Sequence, residues 1–105
     1  MVKNITTIRV RYADTDKMQF VYNGKYFEYF EVGRTEMLRA FGLPYVELEK
    51  AGYQLPLIEG GVKFFIPALY DDVLEIEAMV KEIHSPKVHI EYRVTRSNGE
   101  ELIAE

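Results

Sequence analysis

The 105-residue chain has no cysteine and no tryptophan, only two histidines, four prolines and seven glycines. Without cysteine there is no disulfide, no thiolate nucleophile and no zinc–cysteine site. An N-terminus with no signal-like pattern then adds the expectation of a reducing, cytoplasmic compartment. No apolar run approaches the roughly 20 residues needed to cross a bilayer, so a soluble protein without a membrane partner is expected. The 13 basic residues are scattered and outnumbered by 17 acidic ones, for a net charge of −4. A nucleic-acid partner requires a basic stripe to neutralise phosphates, so none is expected. The chain also lacks GxGxxG, a phosphate loop, GxSxG and HExxH, and no cofactor is anticipated. His84 and His89 have no ligand-type companions and read as solvent-facing or hydrogen-bonded structural residues rather than metal ligands. Asp14-x-Asp16 begins like a calcium loop. Met18, Gln19 and Lys25 then stand where a ligand, the turn glycine and the closing glutamate belong, so no metal is expected.

Aromatic residues are plentiful and unevenly placed: Tyr12, Phe20, Tyr22, Tyr26, Phe27, Tyr29 and Phe30 crowd one short stretch. No repeat, linker or low-complexity tract divides the chain, which predicts a single domain over 1–105. A domain this small buries only about 60–65% of its unfolded surface, which makes help from a partner subunit expected.

Residues 5–12 alternate, with Ile8, Val10 and Tyr12 set against Arg9 and Arg11, the period of a half-buried strand. A loop without clear period follows to Tyr22. Asn23 is the expected N-cap of an amphipathic helix over 24–41, stopped by Gly42 and Pro44. Tyr26, Phe30, Gly33, Met37, Ala40 and Phe41 share its apolar face, with Lys25, Glu28, Glu36 and Arg39 largely off it. A glycine inside that face suggests close approach of another backbone. Residues 44–51 suggest a short helical turn ended by Gly52. Residues 53–66 read as a strand bent at Pro56 and Gly60-Gly61. Asp71-Asp72 opens a further strand with Val73/Leu74, Ile76, Ala78 and Val80 inward. His84 to Lys87 forms a turn, residues 88–95 alternate again, and Ser97-Asn98-Gly99 is a hairpin signal. A last strand starts at Leu102 and reaches only Glu105, which reads as a truncated strand. One early helix and a run of antiparallel strands give an α+β fold.

The segment from Ala13 to Asn23 carries the chemistry. Two carboxylates flank Thr15, and apolar Met18, Phe20 and Val21 surround the approach to a helix start. A carboxylate deprived of hydration is a more reactive base or nucleophile. Helix-start N–H groups can stabilise a developing oxyanion. Both are what hydrolysis of an activated acyl group requires. The alternative is that Asp14 and Asp16 only cap and satisfy a surface loop.

Asp14-Thr15-Asp16, Val21-Tyr22-Asn23-Gly24-Lys25-Tyr26 and the run from Tyr29 to Leu38 resemble the signature of the 4-hydroxybenzoyl-CoA thioesterase-like family of hotdog-fold acyl-CoA thioesterases. The stretch from Phe65 to Ile76 is similar to that family's second motif. The resemblance implies an antiparallel sheet wrapped around a long central helix, with homodimers or tetramers whose active sites lie at subunit interfaces. It implies Asp16 as catalytic carboxylate, nucleophile or general base. A backbone N–H near Asn23 would polarise the thioester carbonyl, and Asp14 would shape the loop. Phe20, Tyr22 and Tyr26 would line an acyl tunnel, and Lys63, with Lys87 and Arg93, would meet CoA phosphates. Glu31 and Arg34 are structural on this reading, as are Asp71 and Asp72. The implied substrate is an acyl-CoA or acyl-carrier-protein thioester. Glycine is usual in the family where Gln19 stands, which implies a different turn or an amide side chain in the pocket. Histidine is frequent where Asn23 stands, which leaves proton transfer to Asp16 and water. The rivals are a hotdog dehydratase, which would need a histidine paired with its carboxylate, and a non-catalytic acyl-thioester-binding or oligomeric scaffold.

Overall fold

Period-two alternation at both ends of the chain and a period near 3.6 between them produce one antiparallel sheet and one long helix. The computed structural model describes residues 3–42, 50, 60–84, 87–96 and 99–105, with the side chains of 81–84, 87 and 88 excepted. Strand β1 is Lys3–Arg9, a 3-10 turn follows at Tyr12–Asp14, and helix α1 is Lys25–Ala40. Strands β2 (Val73–His84), β3 (Lys87–Arg96) and β4 (Glu101–Ala104) complete a four-stranded sheet in the order β1-β2-β3-β4, every pair antiparallel. Register shifts occur between Val80 and Glu82 and between Val94 and Thr95.

In its described part the segment before β2 does not pair with β2. Lys63 and Glu105 exchange backbone hydrogen bonds of 2.8 and 3.1 Å, and Phe64 bridges Ala104. The expected strand over 53–66 is therefore seen, within its described part, as extended pairing at the far edge of β4. Its residues 53–59, the helical turn expected at 44–51 apart from Lys50, and the turn residues Ser85, Pro86, Ser97 and Asn98 lie outside the described residues.

The core forms where one face of α1 meets the inward residues of the sheet. Tyr26, Tyr29, Phe30, Gly33 and Met37 are buried on the helix, and Leu74, Ile76, Ala78, Val94, Ile103 and Ala104 on the strands. The rings of Phe30 and Tyr92 stack at 4.6 Å and 11°. Burial pushes the Tyr92 hydroxyl up to about 12.

Several expectations from the sequence are corrected. Tyr12 leaves the strand for the 3-10 turn and is 72% exposed, because the chain bends at Arg11 to bring Asp14 inward. Val73 points outward while Leu74 is buried, as strict alternation with Ile76 requires. Ala40 and Phe41 are exposed at the helix end, although they share the helical phase of the buried face. Lys25 is buried, since it stands one turn before Tyr29 and meets a carboxylate there. The helix starts one residue late, with Gly24 rather than Asn23 at N-cap and no side-chain cap bond. At Gly33 the close neighbours are side chains of β2, Ile76 and Ala78, not a backbone.

Candidate active site

The site is built on a small hairpin between the 3-10 turn and α1. Thr15 and Val21 form its antiparallel base, and the Asp16 N–H donates to the Phe20 carbonyl at 2.8 Å. At the tip, Asp16 Oδ1 accepts from the N–H groups of Met18 (2.9 Å) and Phe20 (3.3 Å), the side-chain turn that aspartate favours. No protein donor reaches Asp16 Oδ2 among the described residues. Gln19 adopts φ +67, the left-handed conformation that glycine enters without a side-chain penalty. The turn is thus one a glycine would fit. Gln19 is not among the residues lining the neighbouring cavity, so the expected amide in the pocket is not found there.

Asp16, Phe20, Asn23 and Tyr26 come together around that cavity, which holds about 220 Å³. Its remaining wall is Val21 with the run Phe64, Phe65, Ile66 and Pro67. These wall residues overlap the second motif of the sequence, the one signal that could have marked them as pocket residues. Tyr22 and Lys63 do not line the cavity: Tyr22 packs beside Gly24, and the Lys63 backbone pairs with Glu105. Arg93 lies 3.9 Å from Glu105, and the Lys87 side chain lies outside the described residues.

At the helix start the N–H groups of Lys25, Tyr26 and Phe27 donate to the carbonyls of Tyr22, Asn23 and Gly24. Among the described residues no backbone carbonyl accepts from the Asn23 or Gly24 N–H. The exposed donors are therefore fewer than a bare helix terminus suggests, and they sit at Asn23 and Gly24.

The two carboxylates of Asp14-Thr15-Asp16 differ in environment. Asp16 is exposed in the single chain, whereas Asp14 is 1% exposed. Asp14 Oδ2 accepts from the Tyr29 hydroxyl (2.9 Å) and the Arg11 N–H (3.1 Å), and Oδ1 faces Arg11 Nη2 (3.1 Å) and Lys25 Nζ (3.2 Å). Burial alone would raise the Asp14 carboxyl. Hydrogen bonds from the Arg11 backbone, Tyr29, Lys25 and the Arg11 side chain outweigh it and hold the carboxyl below its ordinary value. The same burial and bonding raise the Tyr29 hydroxyl far above the usual phenol range, so it remains a donor. For Lys25, the loss of hydration is outweighed by Glu28 and Asp14, which raise it. Tyr29 was missed as a site residue; its spacing of four from Lys25 was the available signal.

On the other side of the hairpin, Val21 N–H donates to the Ala68 carbonyl at 2.9 Å and Phe20 bridges Leu69. Burial raises the Tyr26 hydroxyl despite its hydrogen bond with the Ala68 backbone. The turn carrying Ala68 is held by Asp72, whose Oδ2 accepts from Leu69 N–H (2.8 Å) and Arg96 Nη1 (2.6 Å). Asp71 and Asp72 thus form the turn and strand start read from the sequence. Arg34 pairs with Glu31 on the helix, as expected of structural residues.

An antiparallel sheet against one long helix, with a carboxylate hairpin and an apolar cavity at the helix start, defines a hotdog-fold protein. The chain belongs to the thioesterase-like superfamily, whose family profile matches residues 10–105. It is 31% identical over 91 residues to the acyl-CoA thioesterase YbgC of Haemophilus influenzae, covering 86% of this chain and 67% of that protein. The DHNA-CoA thioesterase of Staphylococcus aureus is 30% identical and superposes with a TM-score of 0.92, covering 99% of this chain and 69% of the other. The 4-hydroxybenzoyl-CoA thioesterase of Pseudomonas sp. strain CBS-3 shares the fold at a TM-score of 0.87 and 23% identity, covering 99% of this chain and 79% of that one. Among the described residues no helix is long and apolar enough to cross a membrane.

Proposed function

We propose that this chain is an acyl-CoA thioesterase in which Asp16 is the catalytic carboxylate and the Asn23 and Gly24 amides are the oxyanion donors. Thioester hydrolysis as a class is supported by membership of the thioesterase-like superfamily and by the names of its relatives. The single observation that carries the finer reading is the grouping of Asp16 and Asn23 on one cavity with the apolar Phe20, Tyr26 and Phe64 to Pro67.

The thioester carbonyl would sit with its oxygen toward the helix-start amides and its acyl group against the aromatic wall. As general base, Asp16 takes a proton from water while the water oxygen bonds to the carbonyl carbon. The tetrahedral intermediate then expels the thiolate, which recovers a proton, leaving free acid and thiol. As nucleophile, Asp16 bonds to the carbonyl carbon, the C–S bond breaks and the expelled thiolate takes up a proton; water then hydrolyses the resulting mixed anhydride, which releases the free acid and returns the Asp16 carboxylate. Oδ2, without a protein donor among the described residues, suits either role.

The substrate is an acyl-CoA or an acyl-carrier-protein thioester, with Lys63 as a candidate contact for its phosphates and Tyr22 at the rim of the acyl site. Phe20, Phe64, Phe65 and Ile66 remain exposed in the single chain. Covering them with a second copy would complete the cavity, so the working form on this reading is a homodimer or a tetramer, in the cytoplasm.

The test is hydrolysis of a panel of short, long and aromatic acyl-CoAs by wild type and Asp16→Asn. Wild-type turnover that falls by about 10²–10⁴ in Asp16→Asn is expected, the usual worth of a general base. Activity that survives Asp16→Asn would overturn the mechanism, and binding without turnover in wild type would favour a non-catalytic scaffold.

A further inference from the structure

We propose that Asp14, held by Tyr29 and Lys25, is a positioning residue of the reaction, fixing the tilt of the 15–21 hairpin and with it the reach from Asp16 to the helix-start amides. The inference rests on the assignment of Asp16 as the catalytic carboxylate.

Directly below the Thr15–Val21 base, Asp14 and Tyr22 join the hairpin to the rest of the chain, because the Tyr22 N–H donates to the Asp14 carbonyl at 3.3 Å. From Asp16 to Phe20 every residue is exposed and only Val21, at the end next to the helix, is buried in the core, so burial anchors one end of the hairpin and leaves its tilt to its other attachments. Its attachments are the Ala68 and Leu69 contacts on one side and the Asp14 carboxylate on the other. That carboxylate has donors on both oxygens, two of them from one helix face: Lys25 in the first turn of α1 and Tyr29 one turn later. Asn23 and Gly24 immediately precede that first turn. Tyr29 itself is buried and its ring meets Tyr26 edge-on at 5.8 Å, so the hydroxyl has little freedom to follow a displaced carboxylate. A link from hairpin base to helix start through a buried, multiply bonded carboxylate is a rigid strut. Neither Tyr29 nor Lys25 lines the cavity that holds Asp16. On this proposal their effect on the reaction passes through geometry and not through contact with the acyl group.

Misplacing a reacting group by about 1 Å can lower a rate by about 10² while leaving the groups that hold substrate untouched. The experiment compares Tyr29→Phe and Lys25→Gln with wild type on the best acyl-CoA of the panel. Each is assayed well below its own melting temperature and scaled to the folded fraction. Arg39→Ala, which removes an exposed pair with Glu36 near the far end of the helix, and Asp16→Asn run alongside. The expected result is a fall in kcat of at least tenfold in both strut variants with KM within twofold, and Arg39→Ala like wild type. Faster hydrogen exchange at the Met18 and Phe20 amides, which bind Asp16 Oδ1, should accompany the loss. A kcat per folded molecule within twofold of wild type in either strut variant overturns the proposal, as does a change confined to KM. If those variants stay active while Asp16→Asn is dead, only the strut fails. If Asp16→Asn keeps wild-type turnover, the catalytic assignment fails and the strut with it.

Discussion

Replacing Gly33 with alanine sets two effects of similar size against each other. An added Cβ would lie 2.8 Å from Ile76 Cγ2, with Ala78 Cβ and Ile76 Cβ both at 3.7 Å. Ile76 cannot retreat easily: it is fully buried in β2, which pairs with Thr6 of β1 on one side and Val94 of β3 on the other. Alanine in a helix interior is worth up to about 1 kcal/mol over glycine. Overpacking a filled core costs about 1–3 kcal/mol. The contact is closer than a Cβ tolerates and its partner is a methyl anchored in the sheet, so packing should win by about 1 kcal/mol. For a chain of this size that lowers the melting temperature by roughly 4–8 °C. Urea denaturation of wild type, Gly33→Ala, Ile76→Ala and the double variant checks the cause. With the Ile76 methyl removed, Gly33→Ala should become neutral or stabilising, a coupling of about 1–3 kcal/mol. A Gly33→Ala protein as stable as wild type, or the same cost in both backgrounds, would refute the packing account.

Gln19→Gly should relieve the left-handed backbone at φ +67 and raise stability by up to about 1 kcal/mol, less the entropy glycine adds to the unfolded chain; a lower urea midpoint would contradict it. Asp14→Asn should cost about 3 kcal/mol at neutral pH, because the buried carboxylate that Tyr29, Lys25 and Arg11 donate to is lost and Lys25 keeps only Glu28. Because the folded Asp14 carboxyl is held below its unfolded value, its contribution is complete above about pH 4 and is lost as pH falls through the lower folded value. Wild type should therefore lose stability more steeply than Asp14→Asn below about pH 4, as followed by circular dichroism. Arg96→Met should cost about 1–3 kcal/mol, since Asp72 and Glu101 lose a donor at 2.6 Å each. It should also raise KM by loosening the turn that carries Ala68; an unchanged KM would separate that turn from the site.

Much of the site was legible in local sequence. Asp16 at a turn, Asn23 at a helix start and Tyr26 on its inner face follow from side-chain preferences acting over a few residues, and all three line the cavity. The wall from Phe64 to Pro67 was not legible from local pattern. It reaches the site because the segment pairs with β4 nearly forty residues later, a contact that no local period encodes. Ala40 and Phe41 were misread for a related reason: their helical phase is right, but both are exposed, and phase does not say how far along a helix burial extends.

By itself the sequence determined an α+β chain with one amphipathic helix, antiparallel strands, no thiol chemistry and a carboxylate-bearing loop ahead of a helix. Those features depend on periodicity and residue chemistry, which are local. Tertiary structure alone decided which carboxylate of Asp14-Thr15-Asp16 is buried and which is open. Two residues apart on a tight turn, they face opposite ways. Asp14 meets Arg11, Lys25 and Tyr29 in the core, while Asp16 meets only backbone amides at the edge of a cavity. The difference in donors and water comes from how the turn docks on α1, and composition carries no record of it.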